Sequence, residues 1–395
     1  MTVPYTKEQL LKVAERVNYN YSEVARQLNI SYHTVKSKLG PSKNYRGQIE
    51  ISLTDQIKER DLHKELRDLK LQLEDKNNFI KLFQSVENFE PPKWLDQKSD
   101  DDDTSEVPVL FTSDFQWGEV VKEKEIDGIN EYNQQIATQR YQRLIDKTIS
   151  LYPKKGTGLI LLRGGDSISG EIHDELSRTN DQQIVPAIVN LAEVEIEGIR
   201  RLKQHFGRIM VISVPGNHGR STIKPIAKGY VTTNYDTLVT MFITQRFAKD
   251  EWISFYTPVS GDAYFTVFGY KFLLTHGDRI GGKGGQGFIG PIAPISKGVV
   301  KTRQQYLQMG RPIDYVLLGH YHTPFILPNA IANGTLVGFN EYAKGLRIEP
   351  QPPSQWFFTV NSRYGVNLTR LIYVDKLKRN EDSKNFCSWN PQDSV

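Results

Sequence analysis

The amino-acid sequence predicts an α/β protein that carries a small all-α unit in front of its main domain. Helical apolar spacing fills residues 6–39, whereas strand-like and helical segments alternate after residue 107. An acidic run separates the two regions, and 395 residues suffice for more than one folding unit. The predicted segments are a helical unit (1–45), a linker with a long helix (46–90), an acidic linker (91–106), the main α/β domain (107–376) and a polar tail (377–395).

Composition narrows the class of protein. Fifty basic and 46 acidic residues give a net charge of +4, which by itself implies no polyanionic partner. The single cysteine, Cys387, excludes a disulfide framework and a Cys-rich zinc module and fits a reducing compartment. No segment reaches the roughly 18 apolar residues of a membrane span, and the N-terminus lacks a signal-peptide core. We therefore expect a cytoplasmic protein without membrane contact.

Residues 21–40 show two short helical patterns joined by the turn "NIS". We expect Ser22 to cap the first helix, Ser31 or Tyr32 to open the second, and Gly40-Pro41 to end it. This pattern resembles the helix-turn-helix of resolvase-like and repressor-like DNA-binding domains, which implies DNA as a partner. The alternative is a helical hairpin with an accidental basic face. The candidate DNA-binding residues are Tyr32, His33, Lys36, Lys38, Lys43 and Arg46.

A heptad seam of apolar residues predicts one long helix over residues 55–83. The seam favours either a short coiled coil, and hence a homodimer, or packing on the larger domain. A dimer would suit a helix-turn-helix, which usually reads paired half-sites. The aspartates of 100–103 are interpreted as a solvated spacer.

Five predicted strands of the main domain each end in a residue type that binds metals. Ligands of open α/β sheets bind outside the carboxyl ends of the strands, so these side chains are expected to converge. Further β-rich segments are predicted after residue 331, the first of them "GTLVGFN". The strand-end residues are Asp114, Asp166, Asn217, His218, His276, His320 and His322.

Carboxylate, amide and imidazole groups without thiolate suit Mn²⁺, Mg²⁺, Fe or Zn²⁺. The number of candidate ligands exceeds the need of one ion. Two divalent ions roughly 3.5–4 Å apart can clamp the attacking and leaving oxygens of a phosphate ester. Asp166 is the central candidate for a carboxylate shared between them.

The order of these motifs resembles the calcineurin-like metallophosphoesterase family over about residues 107–345. The resemblance implies a β-sandwich flanked by helices and a catalytic pair of Asp166 and His218, the latter contacting phosphate and assisting the leaving oxygen as a general acid. It also implies a first metal on Asp114, position 116, Asp166 and His322, and a second on Asp166, Asn217, His276 and His320. The catalytic half is further similar to the nuclease subunits of bacterial and phage-type DNA repair exonucleases, so a phage source would be unsurprising.

Two positions depart from the family pattern. Gln116 stands where the family usually has histidine, which predicts a loosely held first metal with a preference for Mn²⁺ or Mg²⁺. Alternatively, Gln116 only hydrogen-bonds a water. Gly219 stands where the family often has an acidic residue, whose loss affects orientation more than chemistry.

The substrate is predicted from the two units together. A DNA-reading unit tethered to a phosphoesterase favours a DNA nuclease dependent on two divalent ions, Mn²⁺ first. The alternatives are a hydrolase of small phosphodiesters or nucleotides, a DNA-binding regulator that no longer turns over, and a phosphoprotein phosphatase recruited to DNA. Arg279 and Lys283, in the Gly-rich segment 276–290, would either close over phosphate or belong to a simple connection. His173 would contact substrate or face solvent.

Overall fold

The computed structural model describes residues 5–42, 64, 66, 67, 70, 105–280 and 292–377. The chain divides into two compact units, residues 1–81 and 82–395. Within the described ranges, no helix is long and apolar enough to cross a membrane. The predicted coiled coil, aspartate run and polar tail fall almost entirely outside these ranges. Only Lys64, Leu66, Arg67 and Lys70 of the long segment are described, all four in helical conformation.

The first unit contains three short helices: α1 (Lys7–Arg16), α2 (Tyr21–Leu28) and α3 (Tyr32–Leu39). The prediction that Ser22 caps α2 is wrong, because the side chain of Asn20 accepts from the N–H of Glu23 and the helix begins at Tyr21. Ser31 caps α3 as predicted. Asn29 takes the left-handed conformation that turns the chain between α2 and α3. The core consists of Leu10, Ala14, Tyr19, Tyr21, Val24, Ala25, Val35 and Leu39.

The second unit is a mixed α/β structure. Its helices are α4 (Gln134–Leu151), α5 (Asp174–Thr179), α6 (Ile184–Phe206), α7 (Tyr235–Arg246), α8 (Ile292–Gln308) and α9 (Glu341–Gly345), with a 3₁₀ helix at Glu123–Ile126. Its strands are β1 (Glu106–Thr112), β2 (Leu159–Arg163), β3 (Ile209–Ser213), β4 (Ile253–Tyr256), β5 (Ala263–Val267), β6 (Tyr270–Thr275), β7 (Tyr315–Leu318), β8 (Phe325–Leu327), β9 (Ala330–Ala332), β10 (Ser354–Asn361) and β11 (Gly365–Tyr373).

These strands form two mixed sheets. One has the order β11-β10-β1-β2-β3-β4, and the other has the order β5-β6-β7-β9-β8. Strands β1 to β4 are parallel, as are β6, β7 and β9. The predicted α/β class is therefore confirmed. The parallel strands direct the ends of β1, β2 and β3 to one edge of the first sheet and those of β6 and β7 to one edge of the second.

The two sheets share a core, and helices cover their outer faces. Because successive strand residues point to opposite faces, Val109 and Phe111 of β1 meet Phe272 and Leu274 of β6 between the sheets. Leu110 faces the other way and packs in the core formed with α4, α6 and α7. Helix α8 covers the outer face of the second sheet through a separate cluster. This packing fixes the edges at which the candidate side chains stand.

The segment "GTLVGFN", residues 334–340, is buried but irregular, so the prediction of a strand there is wrong. The carbonyl of Thr335 accepts from the N–H of Ser354 at the start of β10, but the carbonyls of Leu336 and Val337 accept from side chains. The guanidinium of Arg140 donates to Leu336 O at 3.0 Å and to Val337 O at 2.6 Å. The N–H of Leu336 donates to the carbonyl of Asp114 at 3.1 Å. These bonds tie the segment to the loop after β1 and satisfy its backbone without a ladder.

Candidate metal centre

The strand-end residues meet in two adjoining groups. In the first group, one ligand atom from each of Asp166, His276 and His320 lies within 4.8 Å of the others. Nε2 of His276 lies 3.0 Å from Oδ2 of Asp166 and 3.1 Å from Oδ1 of Asn217. Imidazole, carboxylate and amide oxygen therefore converge on one point, and this group could hold a metal ion.

The second group adjoins the first through Asp166. Nε2 of Gln116 donates to Oδ2 of Asp166 at 3.2 Å. Nε2 of His322 lies 3.3 Å from Oδ1 of Asp114, and that carboxylate also accepts from the backbone N–H of His320 at 3.0 Å. Asp114, Gln116 and Asp166 are all at most 1% exposed. The residues predicted for the first and second metals are thus assembled around one shared carboxylate.

Backbone strain is concentrated at this centre. Five of the eleven non-glycine residues with positive φ in the described ranges are candidate ligands: Asp114, Gln116, Asp166, His320 and His322. The left-handed conformation costs a residue with a Cβ about 1–2 kcal/mol. Such strain persists where the surroundings impose it, and it clusters at functional sites. The strained loops turn each side chain back over the end of its strand, toward the shared Asp166.

Neighbouring Asn217 and His218 face different partners. The amide of Asn217 points to His276, whose Nδ1 is held by the carbonyl of Gly164 at 2.8 Å. The backbone N–H of His218 donates to Oδ1 of Asp166 at 2.7 Å, while its Nδ1 lies 2.9 Å from the carbonyl of Ser169. Nε2 of His218 forms no hydrogen bond with a described residue. One turn thus supplies a candidate ligand and a separate imidazole.

Carboxylate and imidazole groups lie close together in this centre and shift one another's pKa values. Burial alone would raise the pKa of Asp166, but His276 and His218 hold it well below its ordinary range. Burial disfavours a charged His276, yet Asp166 raises the pKa of that imidazole to about 10. Burial and the neighbouring His276 lower the pKa of His320 to about 4. A proton held between Asp166 and His276 occupies the place that a divalent ion would take, so metal binding there must release protons.

The hydrogen bonds of the Gln116 side chain indicate whether a cation fits this centre. Its Nε2 is engaged with Asp166, whereas its buried Oε1 has no hydrogen-bond partner among the described residues. An unpaired amide oxygen in such a site costs about 1–3 kcal/mol. A cation, or a water on that cation, would satisfy it. The donor set of carboxylate, amide oxygen and imidazole fits a divalent ion on the same grounds.

Asn234 and Asp236, at the start of α7, were not predicted as site residues. Asp236 accepts from the backbone N–H of Gly216 at 2.8 Å and from that of Ile168 at 3.1 Å. Nδ2 of Asn234 donates to the carbonyl of Gly216 at 2.7 Å. The pair thereby clamps the loop before Asn217 to the loop after Asp166. Sequence alone marks Asn234 only as a helix cap, and nothing local marks Asp236.

Gly216 and Gly219 permit this close approach. A Cβ at Gly216 would collide with the carboxylate of Asp166. A Cβ at Gly219 would collide with Oδ1 of Asn234 and lie 2.9 Å from Cγ of Asp236. The absence of an acidic residue at 219 therefore has a structural reason, because Asn234 occupies that space.

Glu119 is a second residue that sequence reasoning missed. It is 9% exposed, and Oε1 accepts from Nδ2 of Asn340 at 2.8 Å. Burial raises the pKa of Glu119, against the opposing effects of Asn340, His322 and His218. Its position in "SDFQWGE", five residues after Asp114, was the available signal.

His173 and Arg279 were predicted as possible contacts to substrate, and the structure shows which side chains they contact. The rings of His173 and His218 are 5.7 Å apart in an edge-to-face arrangement, although His173 itself is exposed. The guanidinium of Arg279 lies 3.8 Å above the ring of Tyr230. Lys283 and the rest of the segment 281–290 lie outside the described residues.

The candidate DNA-binding residues lie on α3 and beyond it. Tyr32, His33 and Lys36 are exposed, whereas Val35 and Leu39 of the same helix are buried. Nζ of Lys38 instead donates to the carbonyl of Tyr5 at 3.0 Å, so this lysine also ties the helix to the start of the unit. The remaining candidates, Lys43 and Arg46, lie outside the described residues.

Comparison with known proteins found no matching family model and no matching curated protein.

Proposed function

We propose that this protein is a phosphodiesterase dependent on two divalent ions, with the sandwich fold of the calcineurin-like metallophosphoesterases, and that it cleaves DNA. The observation that carries the proposal is the convergence of Asp166, His276 and His320, with ligand atoms within 4.8 Å of one another, beside Asp114, Gln116 and His322. Two donor sets around one carboxylate suit a pair of ions better than one.

Each donor set is completed by named residues. Asp114, Gln116, Asp166 and His322 would hold one ion, and Asp166, Asn217, His276 and His320 would hold the other. When bound, divalent ions supply Lewis-acid activation of a phosphate ester, and Mn²⁺ is the first choice for these oxygen and nitrogen donors. Asp236 and Asn234 keep the loops of Asn217 and Asp166 in register.

His218 handles the proton of the leaving group. Its Nδ1 is anchored to the carbonyl of Ser169 at 2.9 Å, so Nε2 is the atom available to substrate. In the protonated form, Nε2 donates its proton to the leaving alkoxide as a water oxygen bonds to phosphorus and the old P–O bond breaks. The products are the alcohol, neutral imidazole and a phosphomonoester that keeps the water oxygen, and a proton of that water passes to solvent. The neighbouring His173 adds a second imidazole at the rim.

The N-terminal unit directs this chemistry to DNA. Helix α3 presents Tyr32, His33 and Lys36 on its exposed face. A tethered DNA-binding unit raises the concentration of DNA around the catalytic unit without any change in the centre itself. The salt sensitivity of binding reports the phosphate contacts. Replacing Lys36 by glutamate should weaken duplex binding by the full-length protein, whereas Lys12→Glu on the exposed surface of α1 should not.

The deciding experiment measures Mn²⁺-dependent cleavage of linear and circular DNA, single- and double-stranded, beside hydrolysis of bis(p-nitrophenyl) phosphate. His218→Ala should lower turnover by about 10²-fold or more and leave Mn²⁺ binding unchanged, because it removes a proton donor. His205→Ala is the control, since His205 lies at the end of α6 and contacts the carbonyl of Tyr152.

The outcomes separate the competing functions. Hydrolysis of the small diester without cleavage of any DNA would replace the nuclease by a hydrolase of small phosphodiesters or nucleotides. Absence of both activities, together with absence of Mn²⁺ binding, would leave a DNA-binding regulator. Loss of DNA cleavage in His218→Ala with retained Mn²⁺ binding would support the nuclease.

A further inference from the structure

The loop after His218 is basic and exposes apolar side chains. We call residues 220–229, "RSTIKPIAKG", the basic loop. It carries Arg220, Lys224 and Lys228, and no acidic residue occurs between His218 and Tyr235. Ile223 is 71% exposed and Ile226 is 41% exposed. Neither lysine forms an ion pair with a described residue. Alternating apolar and basic residues on one exposed loop suggest a ligand that has both flat apolar surfaces and negative charges.

The base of the basic loop is fixed to the candidate metal centre. The guanidinium of Arg220 donates to the carbonyl of Asn217 at 3.2 Å and to those of Thr222 and Ile223 at 2.9 Å. The N–H of Ser221 donates to the carbonyl of Thr233 at 3.0 Å, which closes the loop at its far end. The loop is therefore anchored to a candidate metal ligand while its tip faces solvent.

A small substrate does not account for the lysines and apolar side chains of this loop. A dinucleotide or an aryl diester carries one or two phosphates, which the centre and His218 would contact fully. Further phosphates and bases extend beyond the centre only in a polymer. Lysines neutralise successive phosphates, and apolar side chains can pack against or between bases.

We infer that the basic loop binds single-stranded polynucleotide and delivers the strand to the candidate metal centre. Lys224 and Lys228 contact backbone phosphates, and Ile223 and Ile226 contact base faces. The inference rests on the proposed nuclease function and adds to it the form of the substrate: a strand several nucleotides long, with bases unpaired where they meet the loop.

The test compares a strand with a small diester in the full-length protein with Mn²⁺. For Lys224→Glu/Lys228→Glu, KM for a 12-nucleotide single strand should rise about tenfold or more, since two phosphate contacts become repulsive. The value of kcat/KM for bis(p-nitrophenyl) phosphate should stay within about twofold, because that substrate does not reach the lysines. The salt slope of KM for the strand should fall by about 0.7 for each lost phosphate contact.

Two further variants complete the design. Ile223→Ser/Ile226→Ser should raise KM for the strand by about fivefold without changing its salt slope, because apolar base contacts carry no charge. Lys154→Glu/Lys155→Glu is the charge-matched control. Both lysines are exposed in the connection from α4 to β2, at the amino end of β2 and opposite to the metal ligands.

The outcomes distinguish this inference from the proposed function. Cleavage of the strand with unchanged KM in both loop variants would overturn the loop assignment, leave the nuclease intact and assign the loop to a protein partner. Equal losses on strand and small diester would also overturn it, because the loop would then only shape the centre. Hydrolysis of the small diester alone by the unmodified protein would overturn both proposals.

Discussion

The carboxylate of Asp236 accepts a hydrogen bond of 2.8 Å from the backbone N–H of Gly216. Its other oxygen accepts from the N–H of Ile168 at 3.1 Å, so one side chain joins two loops of the candidate centre. Nδ2 of Asn234 donates to the carbonyl of the same Gly216. The position of Asn217 relative to Asp166 therefore depends on Asn234 and Asp236 at the start of α7.

Asp236→Ala should weaken Mn²⁺ binding by about 10- to 100-fold, because residues that orient ligands contribute that much to metal affinity. Calorimetric titration of Mn²⁺ into the full-length protein measures this effect. Thr237→Ala is the control, since its buried Oγ1 has no hydrogen-bond partner among the described residues. Equal Mn²⁺ affinity in the two variants, both folded, would show that the clamp has no role in metal binding.

Asp236 should also make the stability of the metal-free protein depend on pH. Burial and the nearby Asp166 raise its pKa from 3.8 to about 6, although two backbone N–H groups oppose the shift. Between these values the folded protein binds a proton that the unfolded chain has released, so its contribution to stability falls as pH rises from about 4 to 6.

Relative to Asp236→Asn, the unmodified protein should lose roughly 3 kcal/mol of unfolding free energy over that pH window, at about 1.4 kcal/mol per unit. Urea unfolding in the presence of a chelator, at pH values from 4 to 7.5, measures the difference. A constant offset between the two proteins across this range would contradict a raised pKa in the folded state.

Gln116 should control the number of bound ions. Gln116→Leu removes both the bond to Asp166 and the unpaired Oε1, so Mn²⁺ stoichiometry should drop from two to one. Gln116→His should instead tighten the weaker of the two ions, because imidazole is the stronger ligand. Asn190→Leu on α6 is the control, since its Oδ1 is also buried and unpartnered among the described residues. Two tightly bound ions in Gln116→Leu would remove Gln116 from the ligand set.

Placing an acidic residue at 219, as the resemblance to the metallophosphoesterases implies, should destabilise this protein. In Gly219→Asp, the new Cβ collides with Asn234 and crowds Asp236, and overpacking of this kind costs about 1–3 kcal/mol. Chemical denaturation measures the loss. Gly345→Ala is the control, since nothing lies within 4 Å of a Cβ at that position. A stable Gly219→Asp protein with tighter Mn²⁺ binding would contradict the steric account.

The sequence by itself determined which residue types stand at the strand ends. Asp114, Asp166 and Asn217 were predictable as neighbours because buried apolar runs predict parallel strands, and the carboxyl ends of parallel strands meet at one edge. The helices of the first unit were predictable because apolar spacing and capping depend on residues that are close together in the chain. Ser31 caps α3 as expected, whereas the cap of α2 is Asn20, two residues before the expected Ser22.

Tertiary structure decided what each side chain faces. Adjacent Asn217 and His218 contact different partners, His276 and Ser169, because the turn after β3 directs their side chains apart. Residues 334–340 carry a strand-like pattern, yet the carbonyls of Leu336 and Val337 accept hydrogen bonds from Arg140 and no strand forms. Asp236 acquires its role from loops 20 and 68 residues away. Local patterns report the periodicity of burial, whereas the partners of buried polar groups are set by distant segments that only the folded chain brings together.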